Sequence, residues 1–345
     1  MHAWLPLAHT EAPTAGSVIL AGVLLKLGTY ALYRFALPFC PHAIVEYAPL
    51  LAGLCIVGIL YGGLVCWVQT DVKKLVAYSS VAHLGFCVLG LVALNSTGVT
   101  GSVAYMINHG LSTGALFVMI GMIYERYHTR SMKELGGLAA RMPIWSTFMV
   151  FFVMASVGLP GLNGFVGEFL CLMGAFQAGS EWSAQRLPGA TPGHLGFWTA
   201  AIAGTGMIVA AMYLLYMTGR VVFGPLVEPA GHHDHGDPHG SADAHARGHG
   251  APSGALPAPT PDGHRDAPLP VDLNRREVLT LLPLAALCLG LGVYPKPMLD
   301  VIQKPIADTV AMVHQGHAKA EAKRAGGDPA RSSDGSPERG EGAPR

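Results

Sequence analysis

Charged residues are scarce in this sequence. Only 13% of its 345 residues are Asp, Glu, Lys or Arg, whereas 51% are hydrophobic and the mean hydropathy is +0.39. A soluble globular domain carries about 25% charged residues, so the composition excludes an ordinary soluble domain. The hydrophobic residues form long, nearly uncharged runs that could cross a hydrocarbon core of about 30 Å. The sequence therefore predicts a polytopic protein embedded in a lipid bilayer.

Motifs for metal and redox centres are also lacking. The six cysteines are scattered, most of them inside apolar runs, and none forms a CxxC pair. This spacing disfavours an iron–sulfur cluster or a disulfide framework, and we expect no cofactor in this chain. Lys and Arg together number 22, as do Asp and Glu. The balanced charge indicates no nucleic-acid partner.

The apolar runs predict an all-α transmembrane bundle of about seven spans. The fifth run is too long for one straight helix, and its middle reads Gly-Leu-Pro-Gly-Leu-Asn-Gly at 158–164. Proline removes a backbone donor and clashes with the preceding turn. We therefore expect a discontinuous helix, whose irregular backbone lines a protein-buried or wet cavity. The predicted spans are 14–36, 48–68, 75–94, 101–124, 144–178, 196–219 and 276–294.

Lysine and arginine collect in the loops on one side of the predicted bundle, whereas the other side carries little beyond Arg34 and Arg186. Basic loops face the cytoplasm, so the chain should start inside and its tail should end outside. We expect a multi-pass protein of the cell inner (plasma) membrane. The basic residues of the cytoplasmic side are Lys73, Lys74, Arg126, Arg130, Lys133, Arg141, Arg220, Arg275 and Arg276.

Two segments are expected to lie outside the bundle. Residues 229–273 form an insertion rich in His, Pro and Gly, and residues 315–345 form a polar tail. Both lack apolar periodicity, which predicts disorder. The bundle then comprises residues 1–224 and a last transmembrane helix at 274–300. The histidines of the insertion match no structural zinc spacing, so a metal permease is the least favoured function.

Ionisable side chains inside the predicted spans are few. A charge at the bilayer centre costs at least about 2.5–3.5 kcal/mol, so such residues usually face the bundle interior and mark ion pathways. Histidine exchanges protons near neutral pH, and burial brings lysine and carboxyl groups toward that range. Together these residues predict a proton relay, although each could instead make a structural ion pair or an interhelical hydrogen bond. The four residues are Lys26, His83, His109 and Glu168.

The motifs around these residues resemble the antiporter-like proton-translocating subunits of respiratory complex I, the NADH:quinone oxidoreductase. Residues 2–18, with the run His-Thr-Glu-Ala-Pro-Thr-Ala-Gly-Ser-Val, are similar to that family's signature. Residues 71–83 resemble its tenth helix, and Asn-His-Gly at 108–110 resembles a broken eleventh helix. The run Gly-Phe-Val-Gly-Glu-Phe at 164–169 has glutamate where the sister subunits L and N have lysine. The pattern resembles subunit M, the counterpart of mitochondrial subunit 4.

The resemblance implies a fold and a role for each of the four residues. The fold is the second inverted repeat of a 14-span antiporter-like protein. Lys26 resembles the central lysine of helix 8, His83 and His109 the connecting relays, and Glu168 the terminal proton site of helix 12. The glutamate and lysine that the family carries on helices 5 and 7 are missing from the sequence. We therefore expect a longer protein with about seven more spans upstream.

The resemblance also implies partners. These are the other membrane subunits of complex I, of the L and N type, and ubiquinone or menaquinone is used by the complex but is not bound here. Mrp-type cation/proton antiporters and membrane-bound hydrogenases use related subunits, and a role in one of these is the alternative function. The genes next to this one would separate these functions.

Overall fold

The structure is a computed structural model that describes residues 4–179, 195–227, 229 and 272–324. Backbone groups in a bilayer must be satisfied internally, so a spanning chain of this kind folds as helices. The described residues form ten principal helices: α1 (Trp4–Glu11), α2 (Thr14–Phe39), α3 (Pro41–Trp67), α4 (Val72–Val92), α5 (Ser96–Tyr127), α6 (Pro143–Val157), α7 (Asn163–Gln177), α8 (Phe197–Val221), α9 (Arg275–Val293) and α10 (Lys296–Arg324).

Each predicted span has a helical counterpart. Six of the described helices, α2 to α5, α8 and α9, are long and apolar enough to cross a membrane. The fifth predicted span consists of two helices, α6 and α7, with a break at residues 158–162. Gly158 ends α6 at a φ of 81°, and Gly161 has a φ of 94°. Glycine adopts this left-handed region without a steric penalty, and the predicted discontinuous helix is confirmed.

The second predicted break, at residues 108–110, is wrong, because α5 is continuous from Ser96 to Tyr127. The small residues there serve helix packing. A Cβ atom on Gly110 would lie 2.9 Å from the carbonyl oxygen of Gly22 on α2. Glycine therefore lets the backbones of α2 and α5 approach each other, as small residues commonly do between membrane helices.

The predicted disordered tail is wrong for residues 315–324, which are the last part of α10. The rest of the tail, 325–345, lies outside the described residues. α10 packs against α3 and α5 through a narrow apolar stripe. Ile306 and Val313 are its buried residues, and seven residues separate side chains on the same face of a helix. The stripe contains so few apolar residues, in a largely polar sequence, that the sequence pattern does not predict it.

The predicted insertion is likewise too long at its C-terminal end, while residues 230–271 of it lie outside the described residues. Asp272 accepts hydrogen bonds from the backbone N–H groups of Ile144 (2.7 Å) and Trp145 (3.1 Å). These N–H groups belong to the first turn of α6, where they have no intrahelical partner and where negative charge is favoured. Asp272 therefore ties the segment before α9 to the start of α6.

The loops that carry the basic residues meet at one end of the bundle. Arg130 lies 3.6 Å from the carboxylate of Asp71. Arg126 on α5 makes two hydrogen bonds, of 2.9 and 2.7 Å, to the carboxylate of Glu277 on α9. We call the loops at 68–71 and 128–142, with the helix ends beside them, the basic end. The predicted clustering of Lys and Arg loops agrees with this arrangement.

A close backbone contact between α5 and α7 offers a test of the fold. A Cβ atom on Gly101 of α5 would lie 2.6 Å from the backbone nitrogen of Cys171 on α7. We expect Gly101→Ala to destabilise the protein by about 1–3 kcal/mol, because backbone cannot move aside as a side chain can. A thiol-reactive dye that reports exposure of the buried Cys171 should show unfolding several degrees lower in detergent.

The matched control is Gly53→Ala on α3, because a Cβ atom there meets nothing within 4 Å. This control should leave the unfolding temperature unchanged or slightly higher, since alanine favours helix over glycine. Equal unfolding temperatures for the two variants would contradict the close approach of α5 and α7.

Candidate proton-relay site

The four predicted relay residues lie on four different helices and face one another inside the bundle. Lys26 is on α2, His83 on α4, His109 on α5 and Glu168 on α7. Their exposed fractions are 8%, 2%, 2% and 1% respectively. Burial of four titratable side chains at one place agrees with the rule that such groups face the interior of a membrane bundle.

The Lys26 amino group contacts His109 directly, with 2.7 Å between Nζ and Nδ1. The same amino group donates a hydrogen bond to the carbonyl oxygen of Ala21 on its own helix. A π-helical turn, Leu20–Leu24, lies just before the lysine. Such turns are frequent at functional sites, and this one places the lysine against α5. Lysine has donors only, so the partners assign an acceptor role to His109 Nδ1 and a proton to its Nε2.

His109 and His83 are neighbours without being in direct ring contact. Their ring centroids are 5.6 Å apart, at an interplanar angle of 58°. The Nε2 atoms of both histidines have no hydrogen-bond partner among the described residues. A narrow crevice joins the two rings to the hydroxyls of Ser112 and Ser156. The space between the imidazoles is therefore lined by polar groups.

Glu168, His83 and Tyr105 form a compact hydrogen-bonded group. His83 Nδ1 lies 3.2 Å from Glu168 Oε1 and 2.6 Å from the Tyr105 hydroxyl. The hydroxyl donates to the same Glu168 oxygen. His83 Nδ1 is then the N–H donor of the group, and its Nε2 is the free acceptor.

Tyr105 is a site residue that the sequence prediction misses, because an uncharged tyrosine in a membrane span does not carry the cost that identifies a buried charge. A detectable signal exists: Tyr105 precedes His109 by four residues, which places both on one face of α5. Gly167 makes room for the ring, since a Cβ atom there would lie 2.6 Å from Tyr105 Cδ2.

The second oxygen of Glu168 faces the break between α6 and α7. A Cβ atom on Gly158 would collide with Glu168 Oε2, and this oxygen has no partner among the described residues. Two features therefore require glycine at this position: the left-handed backbone conformation, and the space that the Glu168 carboxylate occupies. The break lets the irregular backbone and the buried acid lie side by side, as is usual where helices are interrupted at membrane depth.

Two asparagine side chains hold α7 in place beside α5. Asn108 Nδ2 donates to the carbonyl oxygen of Asn163 at 2.7 Å, and Asn163 Nδ2 donates to that of Asn108 at 3.0 Å. Asn108 precedes His109, and Asn163 is the first residue of α7. The reciprocal pair therefore fixes the distance between the helix that carries the histidine and the helix that carries Glu168.

Two further buried titratable residues lie near the basic end. His9 is 0% exposed and stacks on Phe117, with 4.6 Å between ring centroids. Lys73 is 6% exposed and donates to the carbonyl oxygen of Ala12 at 2.6 Å. The sequence prediction missed both as site residues, because they lie outside the predicted spans. Apolar sequence on either side of the two loops is the feature that could have indicated their burial.

Sets of three or more metal ligands are not found in the part of the chain that the structure describes. No three His, Cys, Asp or Glu side chains there are placed to share a metal ion. The six cysteines are all free, and five of them are buried.

Buried titratable groups on converging, partly broken helices define a class of multi-pass membrane proteins. The family model described as "NADH:quinone oxidoreductase/Mrp antiporter, TM" matches residues 1–187. This match covers more than half of the chain, and the chain therefore belongs to that family. Lys26, His83, His109 and Glu168 all lie inside the matched region.

Curated relatives agree on the branch of the family. The chain is 42% identical over 301 residues to NADH-quinone oxidoreductase subunit M of Pseudomonas aeruginosa, covering 87% of this chain and 48% of the relative. It is 39% identical over 310 residues to NADH-ubiquinone oxidoreductase chain 4 of Marchantia polymorpha, covering 90% and 52%. The predicted resemblance to subunit M is confirmed. The chain spans about half the length of these relatives.

Solved structures share the fold. A chain of respiratory complex I from Thermus thermophilus superposes with a TM-score of 0.68 at 28% identity, over 90% of this chain and 55% of that one. A chain of the Mrp complex from Dietzia sp. gives a TM-score of 0.69 at 22% identity, over 90% and 57%. The second likeness shows the fold alone. Both confirm the predicted antiporter-like helix bundle.

The asparagine pair can be tested by a double-mutant cycle. Asn108→Ala and Asn163→Ala should each lower the unfolding temperature, and the double variant should lose less than the sum. A coupling of about 0.5–3 kcal/mol is expected, because each change breaks the same reciprocal contact. The control combines Asn108→Ala with Thr205→Ala, because the exposed Thr205 hydroxyl donates to the carbonyl oxygen of Ile202 within α8. The effects of these two substitutions on stability should be additive. Additivity in both cycles would refute the reciprocal contact between Asn108 and Asn163.

Proposed function

We propose that this chain is the antiporter-like membrane subunit of an NADH:quinone oxidoreductase and moves protons along Lys26, His109, His83 and Glu168. The observation that carries the proposal is the 2.7 Å contact between Lys26 Nζ and His109 Nδ1. A buried lysine in contact with a buried histidine forms a donor–acceptor pair for protons rather than an ion pair. The 39–42% identity to subunit M and chain 4 supports the complex.

The tautomers assigned to His109 and His83 allow a proton to pass from Lys26 toward Glu168. A proton leaving Lys26 arrives at His109 Nδ1, and His109 releases the proton on its Nε2. His83 accepts at its free Nε2 and releases the proton on Nδ1 toward Glu168 Oε1 or the Tyr105 hydroxyl. Each imidazole gains one proton and loses one, so that charge is conserved at every step. Each imidazole is then left in the opposite tautomer, and its ring must rotate or exchange its proton before the next proton can pass in the same direction.

The step between the two histidines is the longest in the line. With 5.6 Å between ring centroids, it requires a ring rotation or a bridging water, which can replace a direct hydrogen bond at little energetic cost. The crevice beside Ser112 and Ser156 has no room for a water in this structure, so a bridging water would require the surrounding side chains to move apart. This step is therefore a natural place for control of the proton flow.

Coupling to the redox reaction must act at a distance. The chain carries no recognisable redox motif, so quinone reduction elsewhere in the complex would drive protons here through conformational or electrostatic changes. Partners of the L and N type, a quinone bound outside this chain and a place in the inner (plasma) membrane are part of the proposal. The alternative, a subunit of an Mrp-type antiporter or membrane-bound hydrogenase, has the shared fold in its favour at 22% identity.

Lys26 distinguishes a relay from a structural cation. Lys26→Ala and Lys26→Arg should both abolish most proton pumping, because arginine keeps its charge but does not release a proton in proteins. NADH oxidation by artificial acceptors, which needs only the peripheral part of the complex, should stay intact. Pumping is measured with a pH-sensitive dye in inverted membrane vesicles. Full pumping in the arginine variant would assign the lysine a structural charge only.

Glu168 should need a group that can lose its proton. Glu168→Gln keeps the size and the hydrogen-bond acceptor for Tyr105 but cannot titrate, so pumping should fall about tenfold or more. Glu168→Asp should retain part of the pumping, because the shorter acid still titrates and a water can bridge the gap. Both variants should assemble normally on a native gel. Equal pumping in the two variants would mean that the carboxylate is structural.

A further inference from the structure

Two histidines from distant parts of the chain meet where α2 ends and α3 begins. His42 is in the first turn of α3, and His317 lies near the end of α10, 275 residues further along the chain. Their Nδ1 atoms are 3.0 Å apart, and the ring planes differ by 20° with 5.1 Å between centroids. Each side chain is 23% exposed. Solvent therefore reaches the pair, and its separation in the chain explains why no spacing motif reveals it.

A close approach of α10 to the α2–α3 turn holds these rings together. A Cβ atom on Gly316 would lie 2.6 Å from Pro41 Cγ, so glycine lets α10 pass this near to the turn. Pro41 and Gly316 each immediately precede one histidine of the pair. One turn earlier on α10, His314 Nε2 donates a hydrogen bond to the carbonyl oxygen of Leu94 at 2.9 Å. The separation of the two imidazoles is therefore fixed by backbone packing as well as by the side chains.

A carboxylate lies behind each ring. His42 Nε2 is 3.6 Å from Glu46, and His317 Nε2 is 3.4 Å from Glu321. In both helices the glutamate follows the histidine by four residues, which places the two side chains on one face. A negative charge favours a proton on the nitrogen that faces it, and metal-bound histidines usually present their second nitrogen to such an acceptor. Each carboxylate therefore favours the tautomer in which Nε2 carries the proton.

Neutral rings alone cannot satisfy this arrangement. A neutral imidazole has one donor and one acceptor nitrogen. If both Nε2 atoms carry the protons, two Nδ1 lone pairs face each other at 3.0 Å. If one ring takes the other tautomer, its Nε2 lone pair faces a carboxylate instead. Both assignments bring two acceptors together, and a cation between the Nδ1 atoms removes the conflict.

The distance between the Nδ1 atoms fits a shared metal ion. Zn²⁺ binds imidazole nitrogen at about 2.0–2.1 Å, so two imidazoles on one ion have their nitrogens about 2.9–3.4 Å apart when the angle at the metal lies between a right angle and the tetrahedral angle. The observed 3.0 Å lies within this range. Imidazole suits Zn²⁺, Cu²⁺ and Ni²⁺, whereas Mg²⁺ and Ca²⁺ prefer oxygen ligands. The donor set therefore selects a transition-metal ion.

We propose that His42 and His317 bind a divalent transition-metal ion of the Zn²⁺ type through their Nδ1 atoms. The ion joins the start of α3 to the end of α10, and water fills its remaining positions because both rings reach solvent. The described residues offer no third ligand to it. Two protein ligands are fewer than a structural zinc site has, so the ion exchanges with the solution. The site is separate from the proton relay and does not depend on it.

Hydrogen exchange can locate the ion on the chain. In the solubilised complex that contains the full chain, Zn²⁺ at about ten times its Kd should slow amide exchange in residues 305–324 by about tenfold, because the ion opposes local opening of α10. Mg²⁺ should have no effect, and a chelator should restore the faster exchange. A local measurement is needed because the histidines at 232–249 also attract Zn²⁺. Unchanged exchange of α10 in saturating Zn²⁺ would overturn the proposal.

The ligands are tested by single substitutions. His42→Gln and His317→Gln should each abolish the effect of Zn²⁺ on α10, since one imidazole alone does not join the two helices. The matched control is His314→Gln, which removes a histidine of the same helix that is outside the pair. Cys40→Ser removes the exposed thiol two residues before the site. Both controls should keep the response to Zn²⁺, and a response kept in either pair variant, or lost in either control, would refute the two-histidine site.

A second comparison leaves both histidines in place and changes their separation. Gly316→Val pushes α10 away from Pro41, so that half-maximal slowing of exchange should require at least about tenfold more Zn²⁺. The matched control is Ala318→Val, which adds the same β-branched side chain at an exposed position of α10. This control should respond to Zn²⁺ as the unchanged chain does. Equal Zn²⁺ requirements in the two valine variants would contradict a site built by the contact between α10 and the α2–α3 turn.

Discussion

The cost of charge in a hydrocarbon environment governs this structure. An ionisable side chain inside a bilayer must face protein or water, and each of four helices contributes one such residue to a common centre. Lys26, His83, His109 and Glu168 are each at most 8% exposed. The exposed surfaces of the same helices are apolar, as lipid contact requires. The positions of the helices therefore follow from the need to bring these residues together.

α5 is the helix on which this convergence depends. It carries Tyr105 and His109 on one face and packs against α2, α4 and α7, which carry the other three residues. The contacts are close because α5 presents Gly101 to α7 and Gly110 to α2. Without Cβ atoms at these places, the backbones approach closely enough for short side chains to meet. The same glycines that allow the packing thus set the distances between the buried titratable side chains.

The break between α6 and α7 shapes the surroundings of Glu168. The left-handed Gly158 ends α6 and leaves room for Glu168 Oε2, while Asn163 anchors the start of α7 to Asn108. On the other side of the site, the π turn Leu20–Leu24 precedes Lys26, whose amino group reaches back to the carbonyl oxygen of Ala21. Irregular backbone therefore occurs beside Lys26 and Glu168, whereas His83 and His109 lie on regular helices.

The sequence by itself determined the helices and the four buried titratable residues, because long apolar runs fold as helices in a bilayer and charges there are rare enough to identify. It also indicated the break at 158–164, since proline and glycine act locally on their own backbone. Tertiary structure alone decided that α5 is continuous, that Tyr105 joins His83 and Glu168, and that His9 is buried against Phe117. These features depend on contacts between residues far apart in the chain. The sparse stripe of α10 belongs with them, because only its packing against α3 and α5 makes Ile306 and Val313 part of the core.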